Sequence, residues 1–326
     1  MFIDIKLSLI IFAGLCNGSF VIPARYIKKM AHATIWFYYS IFTLLLMPWL
    51  LLFLISPQLI HHYALLNRGP FLFLIMSGLI YGLGQSCFIY AIDIIGVALS
   101  FAISLGVGLI IGSLFVVFDR SEFFTHQGYL VTLSVLLIAT ALAMQYLASR
   151  NNSSKSASTT TAHKSYGIGW LLALLTGFAN GLQNIAFVVT AFHGNAQVQT
   201  SNSYWVWPIF LSAAACPMLI VFWYKAKMDK IPISMDHTPF FDKKNLFLLI
   251  LMSFLFTGSL ALYSTGMSLL SSAQQIIGWP IFMVCIILIS QAWGLFFGEM
   301  KKQAIKNKMY SFSSIALLII SMIILL

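Results

Sequence analysis

Ten times along the chain a run of about 20 apolar residues recurs, and this recurrence constrains the fold more than any motif does. A bilayer core of roughly 30 Å is crossed by about 20 residues of α-helix. The runs lie at roughly 5–24, 35–56, 70–92, 95–117, 128–148, 167–190, 203–224, 246–268, 273–297 and 310–326. Apolar residues occupy all sides of each run, as lipid permits, and the alternating ten-residue patterns of a membrane β-barrel are absent. The expected fold is all-α and polytopic, with ten transmembrane helices. Composition points the same way: 60% of the 326 residues are hydrophobic and 8% are charged, with mean hydropathy +0.93. A soluble domain carries about 25% charged residues. These values exclude an ordinary soluble enzyme, a nucleic-acid-binding domain and a disordered chain. The first run opens near Lys6 and no small-residue cleavage site follows, so it reads as a first span, not a signal peptide.

The basic residues orient the spans. Arg25, Lys28 and Lys29 follow span 1; Arg150, Lys155 and Lys164 follow span 5; Lys225, Lys227, Lys230, Lys243 and Lys244 follow span 7; Lys301, Lys302, Lys306 and Lys308 follow span 9. That side holds 15 of the 18 cations, and the other holds only Lys6, Arg68 and Arg120. Basic loops mark the cytoplasmic face, so both termini are expected in the periplasm of a bacterial inner membrane.

The tract SRNNSSKSASTTTAHKSY at 149–166 reads as a flexible cytoplasmic linker. It separates a first five-helix repeat, 1–148, from a second, 167–326. Gly14, Asn17 and Gly18 in span 1 form a GxxNG pattern that returns in span 6 as Gly177, Asn180 and Gly181. Gly108 and Gly112 in span 4 form a GxxxG pattern that returns in span 9 as Gly294 and Gly298. Small residues at this spacing let membrane helices approach closely, so these positions are helix-packing candidates. An odd number of spans per half inverts the second repeat, as in many secondary transporters, whose substrate site lies near the membrane midplane.

Amides inside spans are the candidate binding groups. Asn180, Gln183 and Asn184 share one face of span 6. Ser77, Tyr81 and Gln85 share one face of span 3, and span 9 opens with Gln274, Gln275 and Trp279. Amides both donate to and accept from hydroxyls, and aromatic faces pack on the C–H faces of a sugar ring. The expected substrate-binding set is Tyr81, Gln85, Asn180, Gln183, Asn184, Gln275 and Trp279. The competing reading of such amides is hydrogen bonding between neighbouring helices. Trp205 and Trp207 read equally as interfacial belt residues. Pro48, Pro208, Pro217 and Pro280 lie within spans, where each frees a carbonyl one turn earlier.

The eight acidic residues avoid the middle of every span, so no residue reads as an intramembrane proton relay. Asp93 and Glu299 stand at span ends as mouth carboxylates or solvated helix-end charges. Cys16, Cys87, Cys216 and Cys285 read as buried free thiols, with no metal or disulfide spacing. No phosphate loop, HExxH or GxSxG motif occurs, so neither a catalytic residue nor a cofactor nor a metal is expected.

Three regions carry a resemblance. They are Pro23-Ala24-Arg25-Tyr26-Ile27-Lys28-Lys29 with Trp36 and Met47-Pro48-Trp49; Tyr81-Gly82-Leu83-Gly84-Gln85 running through Ile95-Gly96; and Ile277-Gly278-Trp279-Pro280 leading to Gly294 and Gly298-Glu299. Together they resemble the L-rhamnose–proton symporter family of the drug/metabolite transporter superfamily. The resemblance implies ten spans in two inverted repeats, transport of a sugar or similar small metabolite, and coupling to protons. The expected function is secondary active transport of a small neutral sugar-like solute, with that solute and membrane lipid as partners and no nucleic acid. The alternatives are export of amphipathic metabolites or drugs, and a non-transporting membrane scaffold.

Overall fold

A computed structural model describes residues 5–55, 57–119, 121, 123–156, 160–193, 202–228, 242–271, 274–298 and 305–326. Among these residues there is no strand, and ten helical spans are long and apolar enough to cross a membrane. They are α1 (Ile5–Ser19), α2 (His32–Ile55), α3 (Arg68–Ile95), α4 (Val97–Asp119), α5 (His126–Ser156), α6 (Thr160–His193), α7 (Val206–Met228), α8 (Lys243–Leu269), α9 (Gln275–Phe296) and α10 (Ile305–Leu325). The protein is an all-α polytopic membrane protein. Helix is the form these runs take because lipid offers no partner to a free peptide group. Helical structure also extends into the Ser/Thr-rich tract, through α5 to Ser156 and from Thr160 in α6; residues 157–159 lie outside the described residues.

Local chemistry sets the breaks. Gly96 adopts a left-handed conformation (φ 85°), and its N–H closes α3 on the Ile92 carbonyl at 3.0 Å. A residue with a Cβ is strained there, so glycine allows α4 to begin at once. Ser40–Leu46 of α2 winds as a π-helix just before Pro48. Proline has no N–H and its ring crowds the carbonyl four residues back, here that of Leu44, and the wider turn relieves both.

The helices pack as two compact units. The first comprises Met1–Ser86 and Ala186–Leu269, and the second Cys87–Ile185 and Leu270–Leu326. Each unit draws on both halves of the sequence. In the first, α1 packs on α8 and α2 on α7; in the second, α4 packs on α9 and α5 on α10. Three of these four pairs join helices of the same rank in the two halves.

Polar links hold the first unit. Asn17 Nδ2 donates to Ser259 Oγ at 2.8 Å, Thr43 and Ser253 share a hydroxyl bond of 2.7 Å, and Trp207 Nε1 donates to Ser264 Oγ at 2.6 Å. All three partner hydroxyls lie on one helix, α8, and two of them also bond its own carbonyls, Ser253 Oγ that of Leu249 and Ser259 Oγ that of Phe256. Gly78 and Gly82 seat α3 against α7. A Cβ on Gly78 would stand 2.5 Å from the Phe210 carbonyl, and one on Gly82 would strike that of Ala214. With no water to exclude between helices in lipid, such close approach and such bonds are what hold them together.

Candidate functional site

In the second unit the polar face of α6 lies against α4 and α9. Asn180, Gln183 and Asn184 are all buried, at 4, 5 and 0% exposure, so the face turns into the protein and away from lipid. The two glycine patterns of the sequence interlock here. A Cβ on Gly108 would stand 2.7 Å from Asn180 Cβ and 3.2 Å from the Gly177 carbonyl; one on Gly177 would meet Val107, and one on Gly181 would meet Ile111, each at 2.6 Å. Only hydrogen in place of a side chain lets α4 and α6 come this close.

Gly112 is the centre of the arrangement. Asn184 Nδ2 donates to its carbonyl at 3.2 Å. A Cβ on Gly112 would stand 2.7 Å from the indole nitrogen of Trp279 and 3.1 Å from Asn184 Nδ2. Asn184 Oδ1 is buried and has no hydrogen-bond partner among the described residues. A carbonyl dipole left unmatched at membrane depth is costly, and is expected where a ligand or water completes it. Gln275 is partly buried at the start of α9 and donates from Nε2 to the Leu270 carbonyl at 3.4 Å. Gln274 turns back to Ser271, accepting from its Oγ at 3.1 Å.

A further buried amide pair in this unit lies outside the set expected from the sequence. Gln145 Nε2 on α5 donates to Gln291 Oε1 on α9 at 3.3 Å, and Gln145 Oε1 lacks a partner. Its signal was available, since each glutamine interrupts an apolar run, but nothing in the sequence brings residues 145 and 291 together.

Tyr81 and Gln85 belong to the first unit. Tyr81 is buried and its ring packs on Phe210 at 5.2 Å, while Gln85 is half-buried. Ser77, one turn earlier on the same face of α3, keeps a buried hydroxyl without a partner. The Trp207 ring is stacked on Phe187 (5.0 Å, 8°), and Tyr204, Trp205 and Trp207 are at most 1% exposed. These rings therefore serve protein packing, and the belt reading of Trp205 and Trp207 does not hold.

The remaining candidates fall elsewhere. Gly14 and Gly18 are buried on α1 beside Asn17, whose amide bonds α8. Gly294 is buried in α9, whereas Gly298 follows that helix with φ 76° and acts as its terminator. Asp93 is exposed two residues before the end of α3, and Glu299 lies outside the described residues. Only Cys285 of the four cysteines is buried; Cys216 is exposed on α7, because a lipid-facing surface accepts a thiol as readily as a core does. Among the described residues no three His, Cys, Asp or Glu side chains gather to hold a metal.

The chemistry in hand is amide and hydroxyl. Such groups exchange hydrogen bonds with a neutral hydroxylated molecule and carry no charge of their own. No protein-family model matches the chain, and no curated protein matches it.

Proposed function

We propose that this chain is a secondary transporter of a small neutral, sugar-like solute, working by alternating access in a bacterial inner membrane with both termini periplasmic. The observation that carries the reading is Asn184, wholly buried on an amide-rich helix face with one carbonyl oxygen unmatched. Interhelix bonding accounts for its Nδ2 and leaves Oδ1 over, which suits a substrate hydroxyl. Two further features support it. Three of the four helix pairs join helices of equal rank in the two halves, as suits an inverted repeat, and the chain divides into two compact units, as suits rigid-body exchange of access. The motif resemblance makes L-rhamnose the first solute to try and protons the first coupling ion.

Uptake of labelled L-rhamnose, and of a panel of other sugars, amino acids and nucleosides, into proteoliposomes with and without a pH gradient tests the proposal. Asn184→Ala and Gln85→Ala are each expected to lower uptake of the accepted solute. Unchanged rates in both would remove these residues from the site, and no uptake of any solute would favour a scaffold.

A further inference from the structure

One end of the first unit gathers positive charge that the sequence keeps more than 200 residues apart. Asn245, near the start of α8 and 1% exposed, clamps the turn after α1. Its Nδ2 donates to the Lys28 carbonyl at 2.9 Å, and its Oδ1 accepts from the Lys28 N–H at 3.2 Å. Lys243 and Lys244 precede Asn245 directly, Lys29 follows Lys28, and Arg25 stands three residues before it. Consecutive Cα atoms are about 3.8 Å apart. The clamp therefore holds five exposed cations around one buried amide. The acid described among them, Asp242, accepts from the Lys244 N–H through Oδ1 at 3.1 Å and so caps α8.

Two other features mark the place. Lys29 has φ 58°, a left-handed conformation that an ordinary side chain adopts only at a cost. Lys29 directly follows the residue that Asn245 clamps. Beside the cations stand two exposed rings, Tyr26 (49%) and Phe247 (61%). Exposed rings at the end of a span sit at the level of the lipid headgroups.

We propose that Arg25, Lys28, Lys29, Lys243 and Lys244 form a binding site for the phosphate of an anionic phospholipid headgroup, assembled by the Asn245 clamp. Rings in the acyl boundary and cations just above it match the two parts of such a lipid. Each Lys or Arg clustered at a span end strengthens the attraction to anionic lipid by about fivefold in affinity. The site is independent of any transport activity.

The test uses the full chain in detergent, titrated with phosphatidylglycerol or phosphatidylcholine and followed by native mass spectrometry and thermal unfolding. Phosphatidylglycerol is expected to bind more tightly and to raise the unfolding temperature more, with the difference shrinking in high salt. Lys28→Gln with Lys29→Gln should lower the preference roughly 25-fold if both cations act. Asn245→Ala retains every charge and should still lower it several-fold, because Lys28 is released. Each variant is compared with itself in the two lipids, so a general loss of stability does not obscure the result; should Asn245→Ala fail to fold, the lysine variant and the salt series decide. Equal binding of the two lipids, or full preference in the lysine variant, overturns the proposal. Full preference in Asn245→Ala overturns the assembly by the clamp. Inorganic phosphate raising the unfolding temperature as much as phosphatidylglycerol overturns the lipid as its occupant.

Discussion

Gly112 shows how much one absent methyl decides. Its α-carbon faces the indole nitrogen of Trp279 and the amide of Asn184, so Gly112→Ala has to shift one of these buried side chains. Overpacking of this kind costs about 1–3 kcal/mol. Thermal unfolding in detergent should report that loss, whereas Gly69→Ala, with nothing within 4 Å of its added Cβ, should leave stability nearly unchanged. Tyr63 is a second such position, in the connection between α2 and α3. Its hydroxyl donates to the Trp205 carbonyl at 2.5 Å, and its ring lies 5.9 Å from those of Trp49 and Trp205. Burial pushes this hydroxyl above the ordinary tyrosine value near 10. The folded protein therefore keeps a proton that the unfolded chain releases, so its stabilisation is whole below pH 10 and declines as pH rises past it. The stability difference between wild type and Tyr63→Phe should be constant at neutral pH and shrink above pH 10 in urea unfolding.

Among the elements, α2 is the least regular, and its irregularity has an identifiable cause. The π-helical segment Ser40–Leu46 ends just before Pro48 and contains Thr43, which reaches Ser253 on α8. Pro48 is held from outside as well, its carbonyl accepting from Tyr204 at 3.3 Å. Pro48→Ala restores the missing donor and removes the ring. The segment is then expected to relax toward α-helix, with slower amide hydrogen exchange across residues 44–52. Unchanged exchange would show that the wide turn is imposed by the Thr43–Ser253 bond and not by proline. The helix α8 is the counterpart of this irregular one: three neighbours are tied to its hydroxyls, so Ser253, Ser259 and Ser264 act as joints of the first unit.

At the scale of the molecule, the proposed orientation rests on the ten candidate spans and the 15-to-3 division of cations, and it puts the two ends of the chain on one side. Reporter fusions at the N- and C-termini should both be active in the periplasm, and a cysteine placed at Lys164 should react only with reagents that reach the cytoplasm. Termini found on opposite sides would overturn the orientation proposed above. Five spans per half would make the second half an inverted counterpart of the first, as the transporter proposal holds. Each compact unit nevertheless takes helices from both halves, so half of the chain is not a unit in space.

The run of apolar residues determined the class of fold, because a peptide group in lipid has no solvent to bond and each span must be a helix whatever surrounds it. The one-face spacing of Asn180, Gln183 and Asn184 was legible for the same reason: helical periodicity is local. Which partners those amides meet was not, since Gly112 lies 72 residues from Asn184, and Gln291 lies 146 from Gln145. Asn17 and Asn180 occupy the same place in a shared pattern, yet one bonds a serine of α8 and the other packs on Gly108. Tertiary structure decided between glue and unmatched acceptor, because hydrogen-bond satisfaction is a property of two helices brought to contact and never of one helix alone.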